Sequence, residues 1–398
     1  MVSFFHEWVE LFFRWLHIIT AISWIGTSFY FMWLDNNLRN HGTLNSNANG
    51  ESWLVHGGGF YHIQKYFVSP KGMPKELHWF KWESYATWIS GFCLLAIIYY
   101  WEADTFLVNK NIQNIRPSIA ILISISSLAL GWFLYDIACK LLRRSSAVLL
   151  AAILIFLIIL AAYGFGLVFS QRAAFLHTGA ILATIMSANV FCVIIPNQKK
   201  VVRSLVEGEK PDPILGQISK LRSTHNNYIT LPVLFIMISN HYPFLYDHDH
   251  QWLVIAIVLV LGGIIRNFFN LRNSGIVGIK LWWQWPLATG LAFFLIFVTA
   301  GNLNLNSVSG RAVTTPEAVV IIRTHCTGCH ARVPSDPAFD RAAGGISFED
   351  IETVKAYSKE IFSQAVLSKV MPMGDSSSMT EDERLRLGLW IRLGMPDD

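Results

Sequence analysis

Long apolar stretches alternate with short polar ones over the first three quarters of the chain. Eight of the apolar stretches are long enough, and poor enough in charge, to cross a bilayer as helices. They cover residues 11–34, 84–101, 117–137, 146–169, 173–195, 226–245, 252–271 and 281–301. The pattern therefore predicts an all-α fold, a polytopic membrane bundle of eight transmembrane helices.

The last quarter of the chain has a different pattern. Residues 302–315 are polar and poor in bulky side chains, which is typical of a linker. Beyond them, capping residues and a helix-initial proline mark three helix starts. These starts are Thr315-Pro316, Ser347-x-x-Asp350 and Thr380-x-x-Glu383. We predict a membrane domain over residues 1–301, a linker over 302–315 and a small helical domain over 316–398.

Composition agrees with a membrane protein. Hydrophobic residues make up 53% of the chain and charged residues 15%, with 15 Trp and 27 Phe. The net charge of +4 does not indicate a nucleic-acid partner, because the cytoplasmic loops of membrane proteins are ordinarily basic. Membrane lipid is the partner that this composition predicts.

The small domain carries the motif Cys326-Thr327-Gly328-Cys329-His330. Two thiols at this spacing, followed at once by an imidazole, suit covalent attachment of a c-type haem with the histidine as iron ligand. The alternatives are a zinc site or a thioredoxin-like redox pair. Zinc would require a second Cys or His pair nearby, and none follows the motif.

A second axial ligand for this haem can be sought among the methionines that follow. Met371 precedes Pro372 on a predicted loop between the last two helices, from which a thioether could reach the iron. Methionine and histidine ligation together would raise the reduction potential. Met373 and Met379 are rival candidates, and all three could instead pack in a core.

The haem motif also bears on orientation. Haem of the c type is attached outside the cytoplasm, and Lys and Arg concentrate in one set of alternate loops, which the positive-inside rule places in the cytoplasm. Both arguments put the two termini and the cytochrome domain on the extracytoplasmic side of a bacterial inner membrane.

Two histidines lie inside predicted membrane spans, where ionisable side chains are costly and often functional. His17 is in the first span and His177 is in the fifth, at comparable predicted depth. Two imidazoles from facing helices would suit a b-type haem. A hydrogen-bonded histidine in a helix interface is the plain alternative for each.

The cytoplasmic loops are rich in groups that bind flat heterocycles. His56-Gly57-Gly58-Gly59-Phe60-Tyr61-His62 combines glycines, imidazoles and phenols, and Arg222 to Tyr228 adds a guanidinium and amides. Aromatic rings stack on such ligands, while Asn and Arg bind their polar edges. Aromatic belts and positive-inside loops explain part of this composition without any ligand.

Four long sequences carry a family resemblance. They are WLHIITAISWIGTSFYF from Trp15, HGGGFYHIQKY from His56, ELHWFKWESYATWISGF from Glu76 and RSTHNNYITLPVLFIMISNHYP from Arg222. With the C-terminal haem motif, they resemble the membrane-bound, cytochrome-c-linked urate oxidases, the PuuD-type urate hydroxylases. The resemblance implies oxidation of urate to 5-hydroxyisourate, with electrons leaving through the cytochrome to a downstream respiratory acceptor. The first helix is also similar to that of HemJ-type protoporphyrinogen oxidases, which implies His17 as a haem b ligand.

With urate as the implied substrate, the site needs an anion clamp and a base. The candidates are Arg222, His225, Asn226 and Asn227, with His62 as an alternate base. The hydrocarbon core of the membrane, about 30 Å thick, separates these residues from haem c. Either an intramembrane haem bridges this distance, or urate binds near the outer face, close to His241, Tyr242 and the loop 247–250. A quinol:cytochrome c protein and a non-catalytic cytochrome relay are the alternative functions.

Overall fold

The computed structural model describes residues 2–40, 42, 44–45, 48–66, 74, 76–108, 115–143, 145–246, 250–300, 313–367, 371–373 and 379–396. Within these ranges the chain is mostly helical. The predicted linker falls almost entirely outside the described residues, as do Asp247, His248 and Asp249.

The described part of the membrane body contains eleven α-helices of very unequal length, among them a first helix of 36 residues. They are α1 (Val2–Asn37), α2 (Trp82–Leu95), α3 (Ala103–Phe106), α4 (Pro117–Leu141), α5 (Ala147–Gly166), α6 (Gln171–Ala188), α7 (Ile195–Val206), α8 (Pro213–Ile238), α9 (Gln251–Asn273), α10 (Ile279–Trp282) and α11 (Gln284–Ala300). Helices α2 and α6 each continue through a π-helical turn, at Ala96–Tyr100 and Asn189–Ile194. Such turns are frequent next to functional sites.

Among the residues that the structure describes, six helical segments are long and apolar enough to cross a membrane. They are Phe4–Asn37, Pro117–Leu141, Ala147–Gly166, Gln171–Val206, Gln251–Asn273 and Ile279–Thr299. The predicted spans at 84–101 and 226–245 are helical for most of their length, but they do not count among these six. Large apolar side chains such as Phe12, Ile22 and Phe156 are exposed on the outside of the bundle, as lipid-facing residues would be.

A β-hairpin interrupts the helical pattern, so the prediction of an all-α chain is wrong in this segment. Strands β1 (Ala48–His56) and β2 (Gly59–Tyr66) pair in antiparallel fashion. Gly57 and Gly58 have φ of 60° and 78°, the left-handed values that a two-residue hairpin turn requires. A Cβ added at either glycine would meet nothing within 4 Å. The glycines thus serve the turn, and no ligand contact is needed to explain them.

Proline and glycine meet where α8 crosses α9. Pro232 lies inside α8, and a Cβ added at Gly262 of α9 would come within 2.6 Å of its Cδ. The proline ring therefore occupies the space that a larger residue at Gly262 would need. α8 nevertheless stays helical through Pro232, as membrane helices packed against neighbouring helices can.

The tail contains α12 (Thr315–His325), α13 (Ile351–Ala356), α14 (Ser358–Ile361) and α15 (Glu381–Arg392). The capping box at Thr380 and Glu383 is confirmed, whereas α12 is capped by Thr314 and α13 by Asp350, each close to the predicted start. The hydrophobic core of the tail includes Ile322, Leu387 and Trp390, which are almost fully buried.

The tail contacts one end of the membrane body. Arg341 forms an ion pair with Glu7 of α1. The turn Pro243–Leu245, which follows α8, also contacts the π-helical turn Phe362–Leu367 of the tail. The beginning of α1 and the end of α8 therefore lie at the end of the bundle that the tail contacts.

Candidate functional site

The haem motif forms one tight turn at the end of α12. The amide of His330 donates to the carbonyl of Cys326 at 2.8 Å, which keeps both thiols and the imidazole on a single turn of chain. Nδ1 of His330 donates to the carbonyl of Ile346 at 3.1 Å, and its ring lies 4.9 Å from that of Phe348. A neutral imidazole that donates through Nδ1 has its lone pair on Nε2. This is the arrangement of a metal-ligating histidine.

Both thiols of the motif are held in the protonated form. Burial, reinforced by the neighbouring Cys329, raises the pKa of Cys326 to about 12, and burial with Asp336 nearby raises the pKa of Cys329 to about 11. A raised pKa disfavours the thiolate with which a thioredoxin-like redox pair reacts. No group of three or more His, Cys, Asp or Glu among the described residues could hold a metal ion, so a zinc site has no ligand set there.

Met371 lies beside the same core as the haem motif. Its side chain is partly buried and packs against the hydrophobic cluster that Cys326 and Phe348 also contact. Its backbone is fixed on both sides, because its amide donates to Gln364 at 3.0 Å and its carbonyl accepts from Arg384 at 2.6 Å. Met379 is buried in the core itself, where it fills space. Of these two methionines, Met371 is the one at the edge of the core.

His17 has the same pattern of partners as His330. Its Nδ1 donates to the carbonyl of Thr87 at 3.0 Å, with Ser90 Oγ at 3.1 Å, so Nε2 keeps a lone pair. A Cβ at Gly91 would come within 2.9 Å of the ring, which shows how closely α2 approaches it. The glycine therefore leaves room for an imidazole fixed by two hydrogen bonds.

His177 has a different environment. It is fully buried, its Nε2 lies 2.6 Å from Ser124 Oγ, and its Nδ1 lies 2.6 Å from the carbonyl of Ala173. Both ring nitrogens therefore have protein partners, and neither is free to bind iron in this arrangement. The structure gives His177 the role of a hydrogen-bonded histidine between α4 and α6.

A cavity of about 460 Å³ lies beside His17. It is walled by α1, α2, α6 and α8, and most of its lining is apolar. Its polar lining includes Arg14, Tyr99 and His241. Tyr99 is 1% exposed, and among the described residues its hydroxyl has no hydrogen-bond partner. The cavity resembles known ligand sites in its size and in having few polar groups.

Three of the predicted catalytic residues meet near the other end of the bundle. Arg222 pairs with Asp136 at 2.5 Å and lies over the ring of Tyr135, 4.8 Å from its centroid. Nδ1 of His225 is 2.8 Å from the Tyr135 hydroxyl. Because Asp136 already balances its charge, Arg222 is not a free anion clamp in this state.

Asn226 joins the same cluster through a buried asparagine of the π-helical turn. Asn189 donates to Asn226 Oδ1 and to the Tyr135 hydroxyl, both at 3.0 Å. The side-chain amide of Asn226 donates to the carbonyl of Met186 at 2.9 Å. The hydrogen bonds thus connect α4, α6 and α8 into one buried polar network.

Asn227 and His62 lie in other environments. Asn227 Oδ1 accepts from Arg266 Nε at 2.8 Å and from Asn270 at 3.0 Å, both on α9. His62 lies on β2, 2.6 Å from buried Glu51. The structure therefore does not bring the five predicted residues into one site.

An open cleft of about 470 Å³ adjoins the network at this end of the bundle. Phe191, from the same π-helical turn as Asn189, lines it together with Tyr85. Their rings meet edge to face, with 5.3 Å between centroids. The remaining lining is mostly basic and comprises Lys81, Lys199, Lys200 and Arg203, with Ile195 and Pro196. A planar anion would find both charge and aromatic surface there.

Sequence reasoning missed several residues that the structure brings together. Asp136 could have been found, since a carboxylate at the end of a predicted span is a functional candidate. Tyr135, Asn189 and Tyr99 gave no comparable signal, because each is distinguished by its partners in space.

Comparison with known proteins concerns the membrane body. A family described as urate oxidase N-terminal matches residues 3–300, which include the cavity, the buried network and the cleft. The match ends before the haem motif. No curated protein and no solved structure matches the chain. On the match over most of its length, the chain belongs to the urate oxidase N-terminal family.

Proposed function

We propose that this protein oxidises urate to 5-hydroxyisourate and passes the electrons, one at a time, to a haem c bound by its tail. The observation that carries the proposal is the combination, in one chain, of a urate oxidase family body and a Cys-x-x-Cys-His turn whose imidazole has a free Nε2. A tethered cytochrome would be superfluous if the electrons went directly to oxygen.

The reaction balances without oxygen. Urate and one water give 5-hydroxyisourate, two protons and two electrons. A haem c held by Cys326, Cys329 and His330 would supply one-electron acceptance, so each turnover would require two such transfers, with reoxidation by a downstream respiratory acceptor between them. The protein's own task is to bind the purine anion, remove protons and separate the substrate from the acceptor.

In the tail, Cys326 and Cys329 would hold haem c through thioethers, with His330 as one axial ligand. The hydrogen bond to Ile346 fixes the imidazole in the tautomer that leaves Nε2 free. Met371, whose backbone is fixed at the edge of the same core, is our candidate for the other axial position. A haem whose two axial positions are both filled would serve in electron transfer.

In the membrane body, we propose a haem b with His17 as ligand. The support is its Nδ1 hydrogen bond to Thr87 and its place in the cavity wall. His177 was the partner predicted from the sequence, but its two hydrogen bonds do not favour that role. A haem at His17 would shorten the transfer across the membrane.

On the substrate side, we propose that the urate anion enters the basic cleft and reaches the network of Arg222, His225 and Asn226. Arg222 could bind the anion only by exchanging part of its interaction with Asp136. His225, which lies 2.8 Å from the Tyr135 hydroxyl, is the candidate proton acceptor. Asn227 and His62 would act outside this network.

The proposed orientation places the tail and both termini on the extracytoplasmic side of a bacterial inner membrane. The cleft with its four basic side chains then faces the cytoplasm, as the positive-inside rule expects. Urate would be taken from the cytoplasm, and electrons would leave on the opposite side.

The test is anaerobic reduction of the purified, oxidised protein. Urate should reduce the haem c absorption bands in wild type, and the signal should vanish in Cys326→Ala/Cys329→Ala. A urate analogue that lacks the oxidisable centre is the negative control, and ubiquinol tests the quinol alternative. Failure of urate to reduce haem c, or equal urate turnover with stoichiometric peroxide in the double variant, would reject the proposal.

A further inference from the structure

We infer that Tyr99 and Arg14 bind the carboxylates of the porphyrin that occupies the cavity beside His17. The inference rests on the haem b of the proposed function and extends it from the iron ligand to the groups that hold the rest of the ring. It starts from Tyr99, whose hydroxyl is buried and has no partner among the described residues.

A buried hydroxyl without a hydrogen bond is costly, by about 1–3 kcal/mol, and such groups in native structures usually await a water, an ion or a ligand. Tyr99 lines the cavity, so a ligand there is the natural partner. The adjacent Tyr100 provides a contrast, because its hydroxyl is paired with Ser124 Oγ at 2.7 Å and it does not line the cavity.

Tyr99 and Arg14 lie on the same side of His17 along the bundle. Tyr99 follows Gly91, which touches the His17 ring, by eight residues, or about 12 Å along the helix at ~1.5 Å per residue. Arg14 precedes His17 by one turn, and side chains on a helix lean toward its N-terminus. Both groups are thus displaced from His17 toward the end of the bundle that the tail contacts.

This arrangement matches a porphyrin with carboxylates along one edge. The ring and its methyl and vinyl groups would face the apolar walls, a lone pair on His17 would face the iron, and two hydrogen-bond donors would lie at one side. Arg14 forms an ion pair with Glu10, so it would bind a porphyrin carboxylate by sharing its guanidinium between that carboxylate and Glu10. Arg and a phenol are both suitable donors to a carboxylate.

Urate fits this cavity less well. It is a small heterocycle with polar groups on every edge, and burying them without partners is costly. The cavity offers few polar groups in a volume of about 460 Å³. An anionic heterocycle is better matched by the basic cleft at the other end of the body.

The experiment uses the full-length holoprotein in detergent, with Tyr99→Phe and Arg14→Met as variants and Tyr100→Phe as the matched control. The covalent haem c gives an internal measure of protein amount. We would measure the b haem content by pyridine haemochrome spectra, its rate of transfer to apomyoglobin, and its midpoint potential.

Tyr99→Phe should speed haem b transfer about tenfold or more, the loss expected for one hydrogen bond to a charged group. Arg14→Met should act in the same direction. Both should lower the midpoint potential, because an unneutralised carboxylate favours ferric iron. Tyr100→Phe should change neither quantity.

Unchanged haem transfer and potential in both variants would overturn the inference, as would a wild-type protein without b haem. A raised KM for urate with unchanged haem properties would also overturn it and make the cavity a substrate site. If urate fails to reduce haem c but Tyr99→Phe still releases haem b faster than wild type, the proposed reaction is rejected and the carboxylate site is supported.

Discussion

The buried ion pair between Asp136 and Arg222 should make the two single substitutions unequal. The atoms are 2.5 Å apart, and the two side chains are 8% and 3% exposed. Removing one partner of a buried pair leaves an uncompensated charge and typically costs about 3–5 kcal/mol. The environment of each residue decides which of the two substitutions causes this full loss of stability.

Asp136 has a second cationic partner. Lys140, one turn later on α4, lies 2.6 Å from its other carboxylate oxygen and is 73% exposed. Arg222 has no second carboxylate among the described residues, and its remaining contacts are the neutral Asn189 at 3.4 Å and the ring of Tyr135. Asp136→Asn should therefore lower the free energy of unfolding by about 3–5 kcal/mol, and Arg222→Met by only about 1–3 kcal/mol.

The assay is unfolding in mixed micelles with increasing SDS, followed by tryptophan fluorescence. Lys140→Met is the control, since its ammonium is exposed to solvent and an i,i+4 pair on a helix contributes about 0.3–0.5 kcal/mol. The double variant Asp136→Asn/Arg222→Met should lose less than the sum of the two single losses. Equal losses, a greater loss for Arg222→Met, or strict additivity would refute the reasoning.

Three further predictions concern the haem ligands and the tail. Replacing Cys326 and Cys329 by Ala should abolish the haem stain that otherwise remains on the denatured protein in a gel. His17→Ala should lose haem b, whereas His177→Ala should keep it and lose thermal stability; pyridine haemochrome spectra and thermal unfolding measure both. The backbone amide at the N-cap of α15, then the histidine beside it, lower the pKa of Glu383 from 4.5 to about 2. The tail should therefore lose stability as pH falls from about 4.5 toward 2, and Glu383→Gln should remove this part of the pH dependence.

Elements that depend on local sequence were well predicted. The run of apolar residues from Ala147 to Gly166 forms one helix, and the capping box at Thr380 and Glu383 starts another. Both follow from interactions within a few residues, which a single sequence contains. The hairpin could also have been predicted, since Gly57-Gly58 lies between two stretches rich in β-branched and aromatic residues. From the sequence alone we instead assign these glycines to a ligand site.

Partners distant in sequence were not predictable. His17 and His177 are the same residue type inside predicted spans, and they differ because Ser124 of α4 reaches the second ring nitrogen of His177. Asp136 and Arg222 are 86 residues apart, and their pairing depends on how α4 and α8 pack. A sequence identifies such polar residues as candidates, but the fold decides whether each is free or already paired.

The network around Arg222 and the cavity beside His17 would suit different halves of the proposed reaction. The network around Arg222 is polar, adjoins the basic cleft and is buried, as anion binding and proton removal require. The cavity beside His17 is mainly apolar, and the tail contacts its end of the bundle at Glu7, ten residues before His17 and about 15 Å away along α1. In the proposed reaction, an electron that leaves the region of His17 toward the tail would therefore move away from the network. If the proposed reaction is right, the separation of the two regions would keep the oxidised substrate and the departing electron apart, which a direct reaction with oxygen would not need.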